Sequence, residues 1–197
     1  MKLDFYYVDS KYIDFLKDKE KNKRGFTCIP NTEYDSGNTK FFYGAVPEVN
    51  NVNYFVPVSS KCHYKQDDML IKGKDKMNPY LGTLRFRYMI PVPQACLKIL
   101  IRDDLSSPVQ KERVRKELAF CRTNRDKIFK QAEKTYKRVV NQVEEGLVRN
   151  SCDFKFLEAA CLEWMASKEQ SLTAQQNQRP LDPSPTQLSN TTKNQLL

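Results

Sequence analysis

The stretch that decides the fold spans residues 40–61 and reads KFFYGAVPEVNNVNYFVPVSSK. Two runs rich in aromatic and β-branched residues flank the pair Asn50 and Asn51. Such residues suit a pleated, half-buried surface, and asparagine tolerates the positive φ that a tight turn requires. The pattern therefore predicts a β-hairpin.

The ends of this hairpin carry lysines and hydroxyl groups. Lys40 precedes the first strand, and the second strand ends in Ser59, Ser60 and Lys61. Because the start of one antiparallel strand lies beside the end of the next, these side chains are expected to meet at one edge of the sheet. Cations beside hydroxyls suit a phosphate, whereas the alternative interpretation is a polar loop that follows a strand.

Before the hairpin, the sequence predicts a strand, a helix and a surface loop. Residues 3–8 have the composition of a short aromatic strand, and Asp9 with Ser10 supplies a helix N-cap. The inward positions of this helix are Tyr12, Ile13, Phe15 and Leu16. The loop over residues 25–39 contains Tyr34, which either packs against its own sheet or stacks on a ligand.

After the hairpin, residues 80–92 alternate between apolar and other side chains. This period of two predicts one strand with a buried face and an opposite face that carries Arg85 and Arg87. The two arginines either lie in solvent or line a groove for phosphates. Short strands are also expected at residues 69–71 and 95–101.

From residue 108 onward, apolar residues recur at helical spacing and predict long helices, the last over residues 153–168. Lys127, Lys130, Lys134 and Lys137 recur at the same spacing on another side, and we call these four residues the lysine ridge. Residues 111–149 contain twelve Lys or Arg against six Asp or Glu. The ridge is therefore interpreted as a surface that faces RNA or DNA, with a solvated helix face as the alternative.

Composition indicates one domain with a basic surface. The chain has 197 residues, 40% of them hydrophobic, and a formal net charge of +9, which favours a polyanionic partner such as nucleic acid or an anionic membrane surface. Residues 1–170 are predicted to form the domain, and the Gln-, Asn-, Ser- and Thr-rich residues 171–197 a disordered tail. With no membrane span or signal peptide in the sequence, the expected location is the cytoplasm.

Several kinds of site are excluded by the motifs. The six cysteines form no CxxC pair and the chain has one histidine, so neither a zinc site nor a redox motif is predicted. Gly-rich nucleotide loops are absent, and the adjacent acids Asp67 and Asp68, or Asp103 and Asp104, do not suggest a two-metal centre. We therefore expect no metal and no cofactor. If the protein is a nuclease, the mechanism that these exclusions leave is attack of an RNA 2′-hydroxyl on the neighbouring phosphate.

Five segments follow one another in the order DSKYIDFL (residues 9–16), KFFYGAVPEV (40–49), PVSSK (57–61), LGTLRFRYMIPV (81–92) and KELAFCRTNRDKI (116–128). Together they resemble the ToxN/AbiQ family, and the resemblance covers residues 5–156. Members of that family are toxin endoribonucleases of type III toxin-antitoxin systems, whose antitoxin is a small structured RNA. The resemblance implies an α+β fold with a strongly bent antiparallel sheet flanked by helices, similar to the small-barrel mRNA-cleaving toxins. It also implies metal-independent cleavage that leaves a 2′,3′-cyclic phosphate.

The resemblance also implies which residues form the active site. Tyr12, Tyr34, Lys40, Ser59 and Ser60 fall on matching positions, and two further candidates, Lys61 and Arg115, depart from the family pattern. Lys61 stands where a proline is common, and Arg115 stands where a tyrosine is expected. In this hypothesis Lys40, with Lys61 or Arg115, stabilises phosphate charge. Ser60 contacts the scissile phosphate or the 2′-hydroxyl, and the two tyrosines position the flanking nucleotides.

The expected partners are a structured RNA antitoxin processed from repeats and cellular or phage mRNA as substrate, in a higher-order protein–RNA assembly. The residues predicted to bind RNA are Arg85, Arg87, Lys116, Arg122, Lys127, Lys130, Lys134 and Lys137. The main alternative function is a non-catalytic RNA-binding module that uses the same basic face. A membrane-surface protein is disfavoured, because no helix pairs its cationic face with exposed large aromatic residues.

Overall fold

The computed structural model describes residues 3–32, 40–49, 52–62, 65 and 67–177. Its strands are β1 (Phe5–Val8), β2 (Phe42–Val49), β3 (Val52–Ser59), β4 (Asp68–Lys72), β5 (Tyr80–Arg85), β6 (Ile90–Pro91) and β7 (Leu97–Ile99). Its α-helices are α1 (Ser10–Arg24), α2 (Pro108–Thr123), α3 (Arg125–Val140), α4 (Glu145–Arg149) and α5 (Phe154–Asn177). This α+β arrangement confirms the predicted fold class.

The predicted hairpin stands at the centre of a seven-stranded antiparallel sheet. The strand order is β4-β5-β3-β2-β1-β7, and β6 pairs with β3 beside this path. Strands β2 and β3 pair from Phe42 opposite Pro57 to Val49 opposite Val52, with two register shifts along β2. Such shifts mark bulges, which bend a strand and increase its twist. The turn predicted at Asn50 and Asn51 lies outside the described residues.

One predicted strand, over residues 80–92, is interrupted. A 3₁₀ turn at Phe86–Tyr88 separates β5, which pairs with the end of β3, from β6, which pairs with its middle. The prediction of continuous alternation was wrong because the turn rotates Met89 into the core, where it is 2% exposed. Arg85 and Arg87 therefore do not share one face of a strand. Arg87 is itself buried, and Arg85 is half-buried.

The first helix follows its sequence signals. The Asp9 carboxylate accepts the backbone N–H of Lys11 at 2.8 Å, and α1 ends at Gly25, whose φ of 77° suits glycine. Among the predicted inward positions, Tyr12, Ile13 and Leu16 are fully buried and Phe15 is half-buried. The helix is thereby fixed on the sheet just before the segment that leads to Lys40.

The C-terminal helices cover the sheet with the predicted apolar stripe. Its buried members include Val114, Cys121, Ile128 and Val139, whereas Val143, beyond the end of α3, is exposed. Helix α5 runs to Asn177, so residues 171–177 of the predicted tail are helical and the rest of that tail lies outside the described residues. Within the described part of the chain, no helix is both long enough and apolar enough to cross a bilayer.

Candidate functional site

The open end of the central hairpin brings Lys40 beside the Ser59–Ser60 segment, as the sequence predicts. Phe42 pairs with Pro57, and the backbone N–H of Val58 donates to Phe41 O at 3.0 Å. The same register places Lys40 next to Ser59. The backbone N–H of Lys40 donates to Thr32 O at 2.6 Å, which fixes the start of the strand.

Positive side chains gather around Lys40. Burial and, to a smaller extent, the charges of Arg85, Lys17 and Lys61 in that order together lower the pKa of the Lys40 ammonium to about 8. Because like charges depress a lysine pKa only from nearby, these cations lie around one point of the surface. The buried Nε of Arg85 has no hydrogen-bond partner within the described part of the chain. The result is a positive potential that attracts phosphate.

The two serines have different surroundings. Ser59 is buried, and its Oγ accepts the backbone N–H of Lys61 at 3.2 Å, which closes a tight local turn. Ser60 is exposed, as is Lys61. A buried hydroxyl engaged by its own backbone suits a structural role, so Ser60 is the hydroxyl that a ligand can reach.

Helix α2 holds this turn through Arg113, which the sequence analysis missed. Its guanidinium donates to Ser60 O at 3.4 Å and also to Leu81 O, and its Nε donates to Glu117 Oε1 at 3.0 Å. From β5, the Thr83 hydroxyl donates to Lys61 O at 2.9 Å. The backbone carbonyls of Ser60 and of the next residue are therefore fixed by neighbouring elements, while the Ser60 side chain is exposed.

Glu117 is a buried acid in this support. It is 2% exposed, and burial raises its pKa to about 6 although Arg113 opposes the shift. A Cβ at Gly82 would lie 2.8 Å from Ser59 O and 3.1 Å from Glu117 Oε1, so glycine permits the close approach of β5. The sequence did contain a signal, since Glu117 lies on the apolar stripe between Val114 and Cys121.

A cavity of about 630 Å³ adjoins Ser60. It lies between the Ser60 turn, the β4–β5 loop and the first turns of α2, and Arg113 and Lys116 are among its lining residues. Lys116, predicted to bind RNA, is held 3.6 Å from the Glu112 carboxylate. The cavity therefore combines a reachable hydroxyl with cations.

Tyr12 lies apart from this surface. It has no exposed area, its hydroxyl donates to Pro91 O at 2.8 Å, and its ring centroid is 5.4 Å from that of Trp164. Burial raises the pKa of its hydroxyl. A buried ring has no face for a nucleotide, so this position gives Tyr12 a packing role instead of the predicted nucleotide contact. Tyr34, the other predicted tyrosine, lies outside the described residues.

Arg115 is also separated from Ser60. It lies two residues beyond Arg113, which is about 200° around a helix axis. It forms two 2.7 Å hydrogen bonds to Glu112 and lines a different cleft, of about 330 Å³, together with Arg102 and Arg122. Its geometry does not fit the predicted contact with the reacting phosphate.

The remaining predicted RNA-binding residues fall into two groups. Arg122 and the lysine ridge are exposed, although Arg122 pairs with Asp4 at 3.0 Å and Lys137 pairs with Glu133 at 2.6 Å. The ridge thus includes an acid at its C-terminal end, which the sequence interpretation overlooked. Arg87 is 8% exposed and lies where a groove for RNA has little access to it. No cluster of three or more potential metal ligands occurs in the part of the chain that the structure describes.

Comparisons with known proteins agree with this architecture. Residues 4–162 match the family model described as Toxin ToxN, type III toxin-antitoxin system. The chain is 31% identical over 170 residues to Endoribonuclease AbiQ of Lactococcus lactis subsp. lactis, covering 81% of this chain and 87% of AbiQ.

Two solved structures share the fold. One is of AbiQ, described as a lactococcal anti-phage endoribonuclease of the type III toxin-antitoxin system, with a TM-score of 0.70, 26% identity and coverage of 84% of this chain and 99% of that one. The other comes from a bacterial antiviral system that a processed non-coding RNA regulates. It has a TM-score of 0.68 and 27% identity, and the match covers 80% of this chain and 96% of that one. Since the family model spans most of the sequence, the chain belongs to the ToxN toxin family of type III toxin-antitoxin systems.

Proposed function

We propose that this protein is a toxin endoribonuclease that cleaves RNA without a metal ion. The 2′-hydroxyl loses its proton to water and attacks the adjacent phosphorus, the bond from phosphorus to the 5′-oxygen breaks as that oxygen takes up a proton, and the products carry a 2′,3′-cyclic phosphate and a 5′-hydroxyl. The observation that carries this proposal is the exposed Ser60 at the end of a hairpin where cations converge on Lys40. Such charges stabilise the oxygens of a phosphorane transition state.

Each group at the hairpin end has a part in this chemistry. The Ser60 hydroxyl donates a hydrogen bond to the scissile phosphate, and Lys40 and Lys61 neutralise its growing negative charge. The Lys40 pKa of about 8 leaves its ammonium protonated yet acidic enough to donate a proton to the leaving 5′-oxygen. Arg113 and Glu117 act indirectly, because they hold the backbone that presents Ser60.

The proposed regulator is a structured RNA antitoxin, processed from repeats, that forms a higher-order assembly with the toxin in the cytoplasm. The proposed substrates are cellular or phage mRNA, in an anti-phage role. Family membership and the names of the related proteins support this part, and the exposed Lys127, Lys130 and Lys134 of α3 offer a surface for an RNA backbone.

The test uses purified protein and a short RNA with excess EDTA. We expect cleavage to persist in EDTA, to stop when a 2′-deoxy nucleotide replaces the one before the cleaved bond, and to yield 5′-hydroxyl ends. Loss of cleavage in EDTA with rescue by magnesium would contradict the mechanism. RNA binding without cleavage would instead favour the alternative function, a non-catalytic RNA-binding module.

A further inference from the structure

The cavity beside Ser60 has a larger volume and more lining residues than a phosphate site requires. Its volume of about 630 Å³ lies within the range of about 300 to 1,000 Å³ that is usual for small-molecule sites. Ser60, Arg113, Asn78 and Tyr80 all line it. A phosphate held by Ser60 would leave most of this space for the remainder of a nucleotide.

The aromatic side chain in the cavity is Tyr80, the first residue of β5. It is 45% exposed, so much of its side chain can be reached from solvent. Pro108 and Val109, at the start of α2, add apolar surface to the same cavity. Aromatic rings that are reachable beside a phosphate site are the platforms on which proteins stack the bases of single-stranded RNA.

The polar groups of the cavity are rich in acceptors. Asp75, Asn78 and Glu112 all line it. One Asp75 oxygen accepts the backbone N–H of Met77 at 2.9 Å, which leaves its second oxygen available for other partners. Hydrogen bonding to Arg115 lowers the pKa of Glu112 to about 2, so its carboxylate is ionised and only accepts. Such a rim suits a base that presents an exocyclic amino group.

The loop that carries Asp75 and Asn78 is closed at its base. The backbone N–H of Gly73 donates to Pro79 O at 2.7 Å, where the loop leaves β4 and enters β5. Since β5 also carries Thr83, which holds the Ser60 turn, the loop and the turn share one rigid support. The position of Asn78 relative to Ser60 is therefore set by the sheet.

We propose that this cavity binds the base of a nucleotide that adjoins the scissile phosphate, with the base stacked on Tyr80 and its amino group bonded by Asn78 and the neighbouring carboxylates. The inference rests on the proposed function and adds to it a determinant of cleavage specificity. Adenine, cytosine and guanine carry an exocyclic amino group and uracil does not, so the cavity discriminates against uracil.

The experiment uses oligonucleotides that contain a single ribonucleotide, so that one bond alone can be cleaved. The bases on either side of that bond are varied among all four, and kcat/KM is measured for each. The full-length protein is expected to cleave worst when uracil occupies the position that enters the cavity. Tyr80→Ala should lower kcat/KM about 5- to 150-fold and flatten the base preference, because a stacking platform is lost.

Matched variants distinguish a loss of base stacking from a general loss of folding. Tyr80→Phe retains the ring and should keep both rate and preference, and Asn78→Ala should flatten the preference with a smaller loss of rate. Met77→Ala is the control, since Met77 is 90% exposed and outside the cavity lining.

The outcomes distinguish this inference from the proposed function. If Tyr80→Ala and Asn78→Ala cleave RNA with the rate and preference of the parent, the base cavity is refuted and the endoribonuclease stands. If the parent protein binds these oligonucleotides but cleaves none of them, nor any longer RNA, the proposed function fails and the inference falls with it.

Discussion

Lys40 lies two residues before β2, with its ammonium partly withdrawn from water and other cations nearby. A bound phosphate raises the pKa of this group above the value of about 8 in the free protein, so binding RNA takes up a proton near that pH. The protonated form, present below pH 8, is the one that binds. Affinity for a 2′-deoxy, uncleavable RNA should therefore fall as pH rises from 7 to 9.

The Lys40→Met variant should bind the uncleavable 2′-deoxy RNA more weakly at pH 7, and its affinity should depend much less on pH, as measured by fluorescence anisotropy. Lys98→Met, at an exposed lysine of the edge strand β7, is the matched control and should follow the parent. Identical pH profiles for Lys40→Met and the parent would show that Lys40 does not touch the phosphate.

Ser59 and Ser60 offer a paired test, because neighbouring hydroxyls have opposite surroundings. Ser60→Ala should abolish cleavage while the free energy of unfolding changes by no more than about 0.5 kcal/mol, since an exposed hydroxyl contributes little to folding. Ser59→Ala removes the buried acceptor of the Lys61 N–H and should destabilise the fold by about 1 kcal/mol. Urea unfolding with cleavage assays checks both, and a fully active Ser60→Ala would remove Ser60 from the mechanism.

At the scale of elements, α2 supports the Ser60 turn through the half-buried Arg113 and the buried Glu117, and β5 supports it through Thr83. The folded-state pKa of Glu117, about 6, lies above its ordinary value of 4.5. The folded protein therefore binds more protons than the unfolded chain between these values, and its stability falls as pH rises through this window. The loss attributable to Glu117 is up to about 2 kcal/mol, at about 1.4 kcal/mol per pKa unit.

Glu117→Gln cannot titrate, so the difference in unfolding free energy between parent and variant should change by about that amount between pH 4 and pH 7. Urea unfolding at several pH values measures it. Glu163→Gln, at an exposed acid of α5, is the control and should track the parent over the same range. Parallel curves for Glu117→Gln and the parent would mean that folding does not raise the pKa of Glu117.

The same elements explain which parts of the site could be predicted from sequence. The hairpin was predictable because strand pattern and antiparallel pairing are local properties, and together they bring Lys40 to Ser59. The interruption of the strand over residues 80–92 was not predictable. It depends on tertiary pairing, because β3 pairs with β5 at its end and with β6 in its middle, and the 3₁₀ turn lies between these two partners. Arg113 was missed for a related reason, since only tertiary contact places a helix side chain against Ser60 O.

Across the whole molecule, positive charge is arranged in two ways, around one point near Lys40 and along the length of α3. In the proposed function the cations near Lys40 act on one phosphate, whereas α3 extends by about 1.5 Å per residue and carries the lysine ridge along an exposed face. Lys127, Lys130 and Lys134 lie there, and Lys137 is partly neutralised by Glu133. A folded RNA presents phosphates over such a length, but a short single-stranded substrate at Ser60 does not need them.

Replacing Lys127, Lys130 and Lys134 by glutamine should therefore weaken binding of a folded antitoxin RNA and lower the slope of log affinity against log salt by up to about 0.7 to 0.9 per lost contact. Cleavage of a short RNA should fall much less, so the variant stays toxic and escapes its inhibitor. The matched control replaces three other exposed lysines, Lys11, Lys21 and Lys98, and should keep the parental slope. If both triple variants give the same salt slope as the parent, the ridge is a solvated helix face that binds no RNA.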